Sequence, residues 1–501
     1  MKTTLFAITL LALPLQAQNS ITEVQERSIY DYFTASLENG KLNKLDETII
    51  SIDDISTHRT KIWRIWKDAV NNFEEEKLVP LKPLEERASS SWTLPEDLEP
   101  NAKMPFYWGC NDSEVAADTK YPLFLYMHGS GNKHQEWETG IGLCLRRFYN
   151  PAIYFVPQIP NIGEYYRWAI QSKQWAWEKL LRLAFLTDEV DANKIYFFGI
   201  SEGGYGSQRL ASFYADYLAG AGPMAGGEPL KNAPMENVGN IAFSLRTGAL
   251  DESFGRNILT QKALDVADSL KREHPNYYNH YIEVIPDYGH AIDYKPTTPW
   301  LAKFERDPHP NFVYWENYDM YGRKREGFYN LRILKNGVSS SDAARECFKM
   351  TRDGNAITIK ATKVTYTTTY TQGGIEMFFD KKHSGLSRGK IRIYLNEEEY
   401  DLSQPITLTL NGIEVFNGMV KPDLKTMVES CAFYYDPERV FPAAIDVDLG
   451  AKTAKPTSIN SLSADETSKQ TNEIYDLSGR KVNHPLQNSI YINQQGSLIR
   501  M

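Results

Sequence analysis

Residues 199–204 read Gly-Ile-Ser-Glu-Gly-Gly, and this stretch decides the fold. The run Lys-Ile-Tyr-Phe-Phe at 194–198 is short and rich in β-branched and aromatic residues, which predicts a buried strand. Residues 206–217 predict a helix. A Gly-x-Ser-x-Gly turn between a strand and a helix holds its serine at a strained, exposed position. The pattern predicts a nucleophile at Ser201, and the alternative is a tight turn whose serine only caps the helix.

Two strands predicted later in the chain end in an acid and a histidine. A nucleophilic serine needs a base, and the base needs an acid that orients it. Residues 240–246 predict a strand that runs through a glycine turn into Asp251, with Glu252 as the neighbouring rival. Residues 281–285 predict the next strand, and His290 follows its end in the chain order Ser–Asp–His. The alternatives are a salt-bridging surface acid and a loop histidine without a role.

An early strand is followed by a glycine-rich turn. Residues 121–127 predict the strand, and the sequence His-Gly-Ser-Gly begins after it at His128. Such a turn supplies backbone N–H groups to an oxyanion, together with the N–H after the nucleophile. The predicted donors are Glu202 and either Gly129 or Ser130. His128 itself is predicted to be structural or to line the pocket.

The motifs HGSG, GISEGG, GALDES and GHAID resemble those of the α/β-hydrolase superfamily over residues 90–305. More narrowly, the chain is similar to secreted bacterial esterases related to dienelactone hydrolase and to the prolyl oligopeptidase catalytic domain. The resemblance implies an eight-stranded, mostly parallel sheet with helices on both faces. It also implies acyl-enzyme chemistry through Ser201, Asp251 and His290. Glu202 departs from the family, where many esterases carry Met, Gln or a small residue, so its carboxylate must turn away or meet a cation.

The first residues predict a signal peptide over 1–17. Lys2 supplies a positive charge, residues 5–15 form an apolar core and Ala17 is a small residue for cleavage. The core is too short to span a bilayer, and no later window approaches about 18 continuous apolar residues. We expect a secreted or periplasmic protein, or one at the cell surface. The net charge of −9 is dispersed over the chain and argues against nucleic-acid partners.

The pattern of residues divides the rest of the chain into segments. Residues 18–85 predict a helical N-terminal segment, and residues 86–305 the α/β-hydrolase domain. Residues 306–450 carry short alternating strands and a hairpin signal at Asn411-Gly412, which predict a β-sandwich. We expect this domain to pack against the hydrolase or shape its cleft, with carbohydrate binding as the alternative. The polar residues 451–471 predict a linker.

The last residues, 472–501, predict a short β tail. Its sequences Tyr-Asp-Leu-Ser-Gly-Arg at 475–480 and Ser-Ile-Tyr at 489–491 resemble the C-terminal sorting tail of the type IX secretion system. The tail departs from that pattern at Ser489, which replaces a glycine, and in its single basic residue near the end, Arg500. The resemblance implies secretion machinery as a partner.

Aromatic residues cluster after the strand predicted at 152–156. Tyr165 and Trp168 are predicted to line the binding site for a sugar or a phenolic acyl group. Trp175 and Trp177 belong to the same cluster, but ordinary helix core is the favoured interpretation for them.

Four cysteines are divided between two segments: Cys110 and Cys144 in the hydrolase, Cys347 and Cys431 after it. In an oxidising compartment the simplest pairing joins the two cysteines within each segment, and four reduced buried thiols are the alternative. None has metal-ligand spacing with histidine, so no metal is expected, and serine chemistry needs no cofactor.

Together these features predict a secreted serine carboxylesterase that removes acetyl or feruloyl groups from plant polysaccharide fragments, or acts on another small ester. One alternative is a serine peptidase resembling prolyl oligopeptidase, although no propeller-like repeat precedes the hydrolase segment. The other is a non-catalytic glycan-binding protein, against which the complete set of catalytic residue types argues.

Overall fold

The computed structural model describes residues 20–112, 116, 118–160, 167–339 and 342–452, together with four short strands between 474 and 500. Contacts divide the chain into two compact units, Met1–Lys455 and Pro456–Met501. The predicted signal peptide at 1–17 and the predicted binding residue Tyr165 lie outside the described residues. Within those described ranges, none of the helices combines the length and the apolar character that crossing a bilayer requires.

The first unit is built on an eight-stranded sheet. Its strands are β1 (Ser89–Thr93), β2 (Lys103–Cys110), β3 (Tyr121–Met127), β4 (Ile153–Pro157), β5 (Val190–Ile200), β6 (Gly220–Met224), β7 (Ala242–Gly248) and β8 (His280–Ile285). They lie in the order β1-β2-β4-β3-β5-β6-β7-β8. Strand β2 is antiparallel to both of its neighbours, whereas all neighbours from β4 to β8 are parallel. The predicted mostly parallel, eight-stranded sheet is confirmed.

Helices cover both faces of this sheet. They are α1 (Glu23–Leu37), α2 (Ile55–Asn72), α3 (Lys133–Arg146), α4 (Gln171–Ala184), α5 (Glu202–Tyr214), α6 (Arg256–Glu273) and α7 (Thr297–Leu301). Alternation along β3 places Leu123 and Leu125 in one core, and Phe124 and Tyr126 in the other. The first core contains buried residues of α1, α2, α4, α5 and α6, and the second contains those of α3 and α7.

The described residues between 306 and 452 form two further sheets and the helix α8. The elements are β9 (Phe312–Asn317), β10 (Gly327–Phe328), β11 (Leu331–Lys335), β12 (Arg345–Asp353), β13 (Ala356–Gln372), β14 (Ile375–Gly385), β15 (Lys390–Leu395), β16 (Ile406–Leu410), β17 (Ile413–Gly418), α8 (Leu424–Tyr434) and β18 (Ala443–Asp448). One sheet has the order β17-β16-β13-β12-β9 with β14 paired to β13, and the other is β10-β11-β15-β18. That they form a β-sandwich stays a prediction.

Residue pair Asn411-Gly412 joins β16 to β17, as its hairpin signal predicts. Both residues have positive φ, 50° and 84°, and the two strands are antiparallel. A two-residue turn of this kind needs left-handed backbone at both positions, which Asn and Gly tolerate best.

A cluster of five buried charged residues joins residues 86–305 to the residues that follow them. Both nitrogens of the Arg325 fork donate to the Asp216 carboxylate, at 2.8 and 2.9 Å. Arg439 donates to Asp216 at 2.6 Å and to Asp436 at 2.7 Å, and Arg306 donates to Asp436 at 2.6 Å. Asp216, Asp436 and Arg439 are fully buried. We call this set the buried ion cluster.

The predicted disulfides are wrong, because all four cysteines are free and buried. Cys110 and Cys144 belong to the separate cores on the two faces of the central sheet. Cys347 lies on β12, where its thiol contacts Tyr314 of the adjacent strand, whereas Cys431 lies in α8. Burial raises the pKa of all four thiols, so the uncharged form is favoured.

The second unit contains a small antiparallel sheet. Its strands are β19 (Ile474–Tyr475), β20 (Lys481–Val482), β21 (Ile490–Asn493) and β22 (Leu498–Arg500), in the order β20-β19-β21-β22. The predicted β character of the tail is therefore present. Its resemblance to a secretion sorting tail stays a prediction.

Candidate active site

Ser201 occupies a strained turn between β5 and α5. Its backbone angles, φ 57° and ψ −114°, are rare for a residue with a side chain. The Ser201 N–H donates to the carbonyl of Met224 on β6, at 2.9 Å. A Cβ at Gly203 would collide with the Met127 carbonyl on β3. The glycines that flank the serine therefore let α5 approach the sheet closely enough to form the turn.

The structure brings Ser201, His290 and Asp251 together from three different strand ends. His290 Nε2 lies 2.9 Å from Ser201 Oγ, and His290 Nδ1 lies 2.7 Å from Asp251 Oδ2. Because a carboxylate only accepts hydrogen bonds, Nδ1 carries the proton and Nε2 is free to accept from the serine hydroxyl. The His290 side chain is 46% exposed while that of Asp251 is 3% exposed. The His290 ring is thus accessible from outside, whereas Asp251 is not.

Asp251 is held on its other side by Arg256, which the sequence analysis missed. An Arg256 guanidinium nitrogen donates to Asp251 Oδ1 at 2.8 Å. The same guanidinium lies over the rings of Phe254 and Tyr205, at 5.0 and 5.6 Å from their centroids. Both carboxylate oxygens of Asp251 are therefore bonded, and this fixes its orientation. The rival acid Glu252 is exposed.

His128 is a structural residue of the turn beneath the nucleophile. Its Nε2 accepts from the backbone N–H of Ile159 at 3.1 Å, so its Nδ1 carries the proton that is donated to the Gly129 carbonyl at 2.7 Å. Burial lowers the pKa of His128 to about 4, which keeps the ring neutral. The indole N–H of Trp168 donates to the His128 carbonyl at 3.0 Å.

The predicted oxyanion donors belong to two segments that adjoin Ser201, and their role stays a prediction. Glu202 is the first residue of α5, where backbone N–H groups have no partner within the helix. A Cβ built on Gly129 would lie 3.5 Å from the Ser201 Cβ, so the turn touches the nucleophile. The Glu202 carboxylate turns to accept from the backbone N–H of Arg167 at 3.1 Å, and burial raises its pKa.

A cleft of about 480 Å³ opens beside Ser201. Ser130 and Trp168 line it, although Trp168 is otherwise buried, and its predicted role in substrate binding stays a prediction. Further lining comes from α5 and α6, from the loops after β6 and β7, and from residues that follow position 305: Tyr205, Arg209, Glu228, Phe254, Leu259, Tyr321 and Ile375. The last two were not expected from the sequence.

No family model and no curated protein matches this chain. Solved structures that are similar to it include a thermostable esterase, at 17% identity and a TM-score of 0.35 over 44% of this chain and 64% of the other. A putative dipeptidyl aminopeptidase IV from Bacteroides ovatus is 12% identical, with a TM-score of 0.33 over 43% of this chain and 34% of the other. A ferulic acid esterase is 16% identical, with a TM-score of 0.33 over 43% and 97%. The chain spans less than two thirds of the first two proteins.

Proposed function

We propose that this protein is a serine esterase that hydrolyses carboxylic esters through an acyl-enzyme. The observation that carries the proposal is the hydrogen-bonded series Ser201–His290–Asp251, with its serine at a positive-φ turn between a strand and a helix. A strained serine aligned with a half-exposed histidine matches the requirements of nucleophilic acyl transfer.

In the proposed reaction Ser201 Oγ attacks the ester carbonyl while His290 Nε2 accepts the hydroxyl proton. Asp251 stabilises the imidazolium that forms, and the Arg256 contact keeps the carboxylate turned toward the ring. The imidazolium then gives its proton to the departing alkoxide, which leaves as an alcohol. Water attacks the acyl-enzyme with the same histidine as base, and the carboxylic acid product is released.

Negative charge develops on the carbonyl oxygen during each attack. The backbone N–H groups of Glu202 and of Gly129 or Ser130 are the proposed donors to it, because both segments adjoin Ser201. The Glu202 side chain is bonded to the Arg167 backbone. Its carboxylate therefore has a partner other than the developing oxyanion.

The proposed substrate is an acylated carbohydrate, with acetyl or feruloyl groups on plant polysaccharide fragments. Aromatic residues line the cleft together with hydrogen-bonding groups. A sugar or a phenolic acid also combines an apolar face with hydroxyl groups, so it matches this lining. Secretion, and recognition of residues 472–501 by secretion machinery, are part of the same proposal and rest on the sequence of the two chain ends.

A substrate panel with a nucleophile variant tests the function. Purified protein is assayed on acetyl, feruloyl and peptidyl substrates, and Ser201→Ala should lose about 10³-fold or more in kcat/KM without a change in folding. Ser253→Ala, at an exposed serine two residues after Asp251, is the control and should keep full activity. Peptide hydrolysis without ester hydrolysis would favour a serine peptidase over a serine esterase. An active Ser201→Ala protein would contradict both assignments.

A further inference from the structure

Two segments from beyond the hydrolase domain line the same cleft as Ser201. Tyr321 lies between β9 and β10, and Ile375 is the first residue of β14 in the hairpin that it forms with β13. We infer that these two residues determine substrate specificity, so that the substrate-binding site is completed by residues 306–450. The inference rests on the proposed function and adds the segment that selects the bulkier part of the ester.

Tyr321 is held in place by contacts with two helices. Its carbonyl accepts from the side-chain amide of Gln171 at the start of α4, at 2.8 Å. Its ring lies against the guanidinium of Arg209, 5.0 Å from the centroid. Arg209 is itself fixed on α5 by two bonds to Glu228, at 2.6 and 3.0 Å, while its carbonyl accepts from the Tyr318 hydroxyl at 2.8 Å. This wall of the cleft is therefore preformed and tied to the helix that begins at the nucleophile.

The β13–β14 hairpin rests on the loops that follow β6 and β7. Met377 is buried so closely against Gly255 that a Cβ there would collide with the methionine methyl group. Glu376 accepts from Lys231 at 2.9 Å. Gly255 immediately precedes Arg256, which orients the aspartate of the candidate site. Ile375, two residues before Met377, is thus positioned by contacts with the loop that leads into Arg256.

The chemistry of the lining identifies the kind of group that fits. Ile375, Phe254 and Leu259 present apolar surface, whereas Glu228 and Asn232 present hydrogen-bonding groups to the same cleft. A group with an apolar face and polar edges, such as a ring with hydroxyl substituents, satisfies both. An acetyl group leaves most of a 480 Å³ cleft unfilled. We therefore assign the cleft to a ring-bearing part of the ester, on its acyl or its alcohol side.

Size variants at Ile375 test this assignment in the full chain. Two matched series of esters are used, one enlarged from acetyl to naphthoyl on the acyl side, the other from methyl to naphthyl on the alcohol side. The ratio of kcat/KM for the large and small ester is measured within each series. The effect is expected in the series that enlarges the part of the ester bound in the cleft. There Ile375→Trp should lower the large-to-small ratio about tenfold, and Ile375→Ala should raise it about threefold. Ile413→Trp and Ile413→Ala, at an exposed isoleucine of another hairpin in the same sheet, should leave every ratio within about twofold of wild type.

Failure of the inference and failure of the function give different results. Wild-type protein that hydrolyses esters, with large-to-small ratios that both Ile375 variants leave unchanged in both series, overturns the inference alone. Wild-type protein that neither hydrolyses any ester nor takes up a fluorophosphonate at Ser201 overturns the function and the inference together. Thermal unfolding of each Ile375 variant is compared with wild type, and equal midpoints assign a changed ratio to the cleft rather than to loss of fold.

Discussion

The candidate active site and the buried ion cluster each contain an aspartate bonded to arginine, and they differ in what the remaining atoms contact. In the cluster, Asp436 is bonded to Arg306 and Arg439, and no part of its side chain is exposed. In the site, Asp251 is bonded to Arg256 and to a histidine that is 46% exposed. Asp436 is bonded to two arginines, whose charge is permanent. Asp251 is bonded to one arginine and to His290, a side chain that can serve as a base.

This difference separates a stabilising role from a chemical one. Burial by itself raises the pKa of Asp436, but the charges of Arg306 and Arg439 outweigh it and hold the pKa at about 2. Asp436 therefore stays charged well below neutral pH, and the cluster joins two parts of the fold. The site instead contains a histidine between an acid and a hydroxyl, which is the arrangement that proton transfer needs.

The largest expected effect is on activity, from loss of the base. His290→Ala should lower kcat/KM about 10³-fold or more, as Ser201→Ala does, because the three groups act as a unit. Asp251→Asn should cost a similar amount or somewhat less, and Glu252→Gln should be mild. His280→Ala is the matched control, since His280 lies at the other end of β8 and bonds to Asp268. A severe Glu252→Gln variant would move the acid by one position.

The next effect is on stability, from opening the buried ion cluster. Arg439→Met should cost about 3–5 kcal/mol of unfolding free energy, because it leaves two buried carboxylates short of a cation. Arg27→Met removes an exposed pair, with side chains 81% and 54% exposed, and should cost less than about 1 kcal/mol. Urea titrations of both variants give the comparison. Equal losses of unfolding free energy in the two variants would show that the buried ion cluster does not join residues 86–305 to the residues that follow them.

A smaller effect on stability is expected from pH. As the pH falls, protonation should lower the unfolding free energy first through His128 in the candidate site, and only at lower pH through the buried ion cluster. The pKa of His128 is lowered from 6.5 to about 4, so the unfolded chain binds the proton at a higher pH than the folded chain. Unfolding free energy should therefore fall by about 3 kcal/mol through His128 as the pH drops from 6.5 to 4. Half-buried His309, whose pKa is also lowered to about 4 by desolvation, acts in the same direction.

Urea titrations between about pH 4.5 and 7.5 cover most of this window and separate these contributions. His128→Gln should reduce the pH slope by up to one proton, about 1.4 kcal/mol per pH unit. In the wild-type protein Asp436 should add little to this slope, because its pKa of about 2 lies well below these pH values. A slope that His128→Gln leaves unchanged would contradict the neutral, buried state of this ring.

The smallest effect is expected from removing the second unit. A chain that ends at Lys455 should keep kcat/KM within about twofold and unfolding free energy within about 0.5 kcal/mol, because every described site residue belongs to the first unit. A chain that ends at Glu305 is the contrasting truncation. It leaves Asp216 without Arg325 and Arg439 and should aggregate. Soluble, active protein ending at Glu305 would make the β-rich segment an independent module.

Local sequence patterns predicted the parts of the fold that depend on local structure. The strand predicted at 121–127 is β3 at the same bounds, and the Asn411-Gly412 turn has the expected positive φ values. Three strand-end positions led to Ser201, Asp251 and His290, because parallel strands bring their carboxyl ends to one edge of a sheet. Those positions follow from strand order alone.

Contacts between distant segments left no such signal. Arg256 reaches Asp251 across a loop that contains a positive-φ Phe254, so no regular spacing marks the pair. Tyr321 and Ile375 enter the cleft from more than a hundred residues beyond the serine. The disulfide prediction failed for the same reason. Position in the chain placed Cys110 and Cys144 in one segment, but Cys110 on β2 belongs to one core and Cys144 on helix α3 to the core on the other face of the sheet.

Covalent labelling of the native protein tests the central claim most directly. An aryl-free alkyl fluorophosphonate is reacted with wild type, Ser201→Ala and His290→Ala, and the adduct is located by peptide mass spectrometry. The Ser201–His290 contact of 2.9 Å predicts one adduct per chain, on Ser201, formed much more slowly in His290→Ala and absent from Ser201→Ala. An adduct on another residue in wild type, or undiminished labelling of Ser201→Ala, would contradict the assignment of Ser201 as the nucleophile.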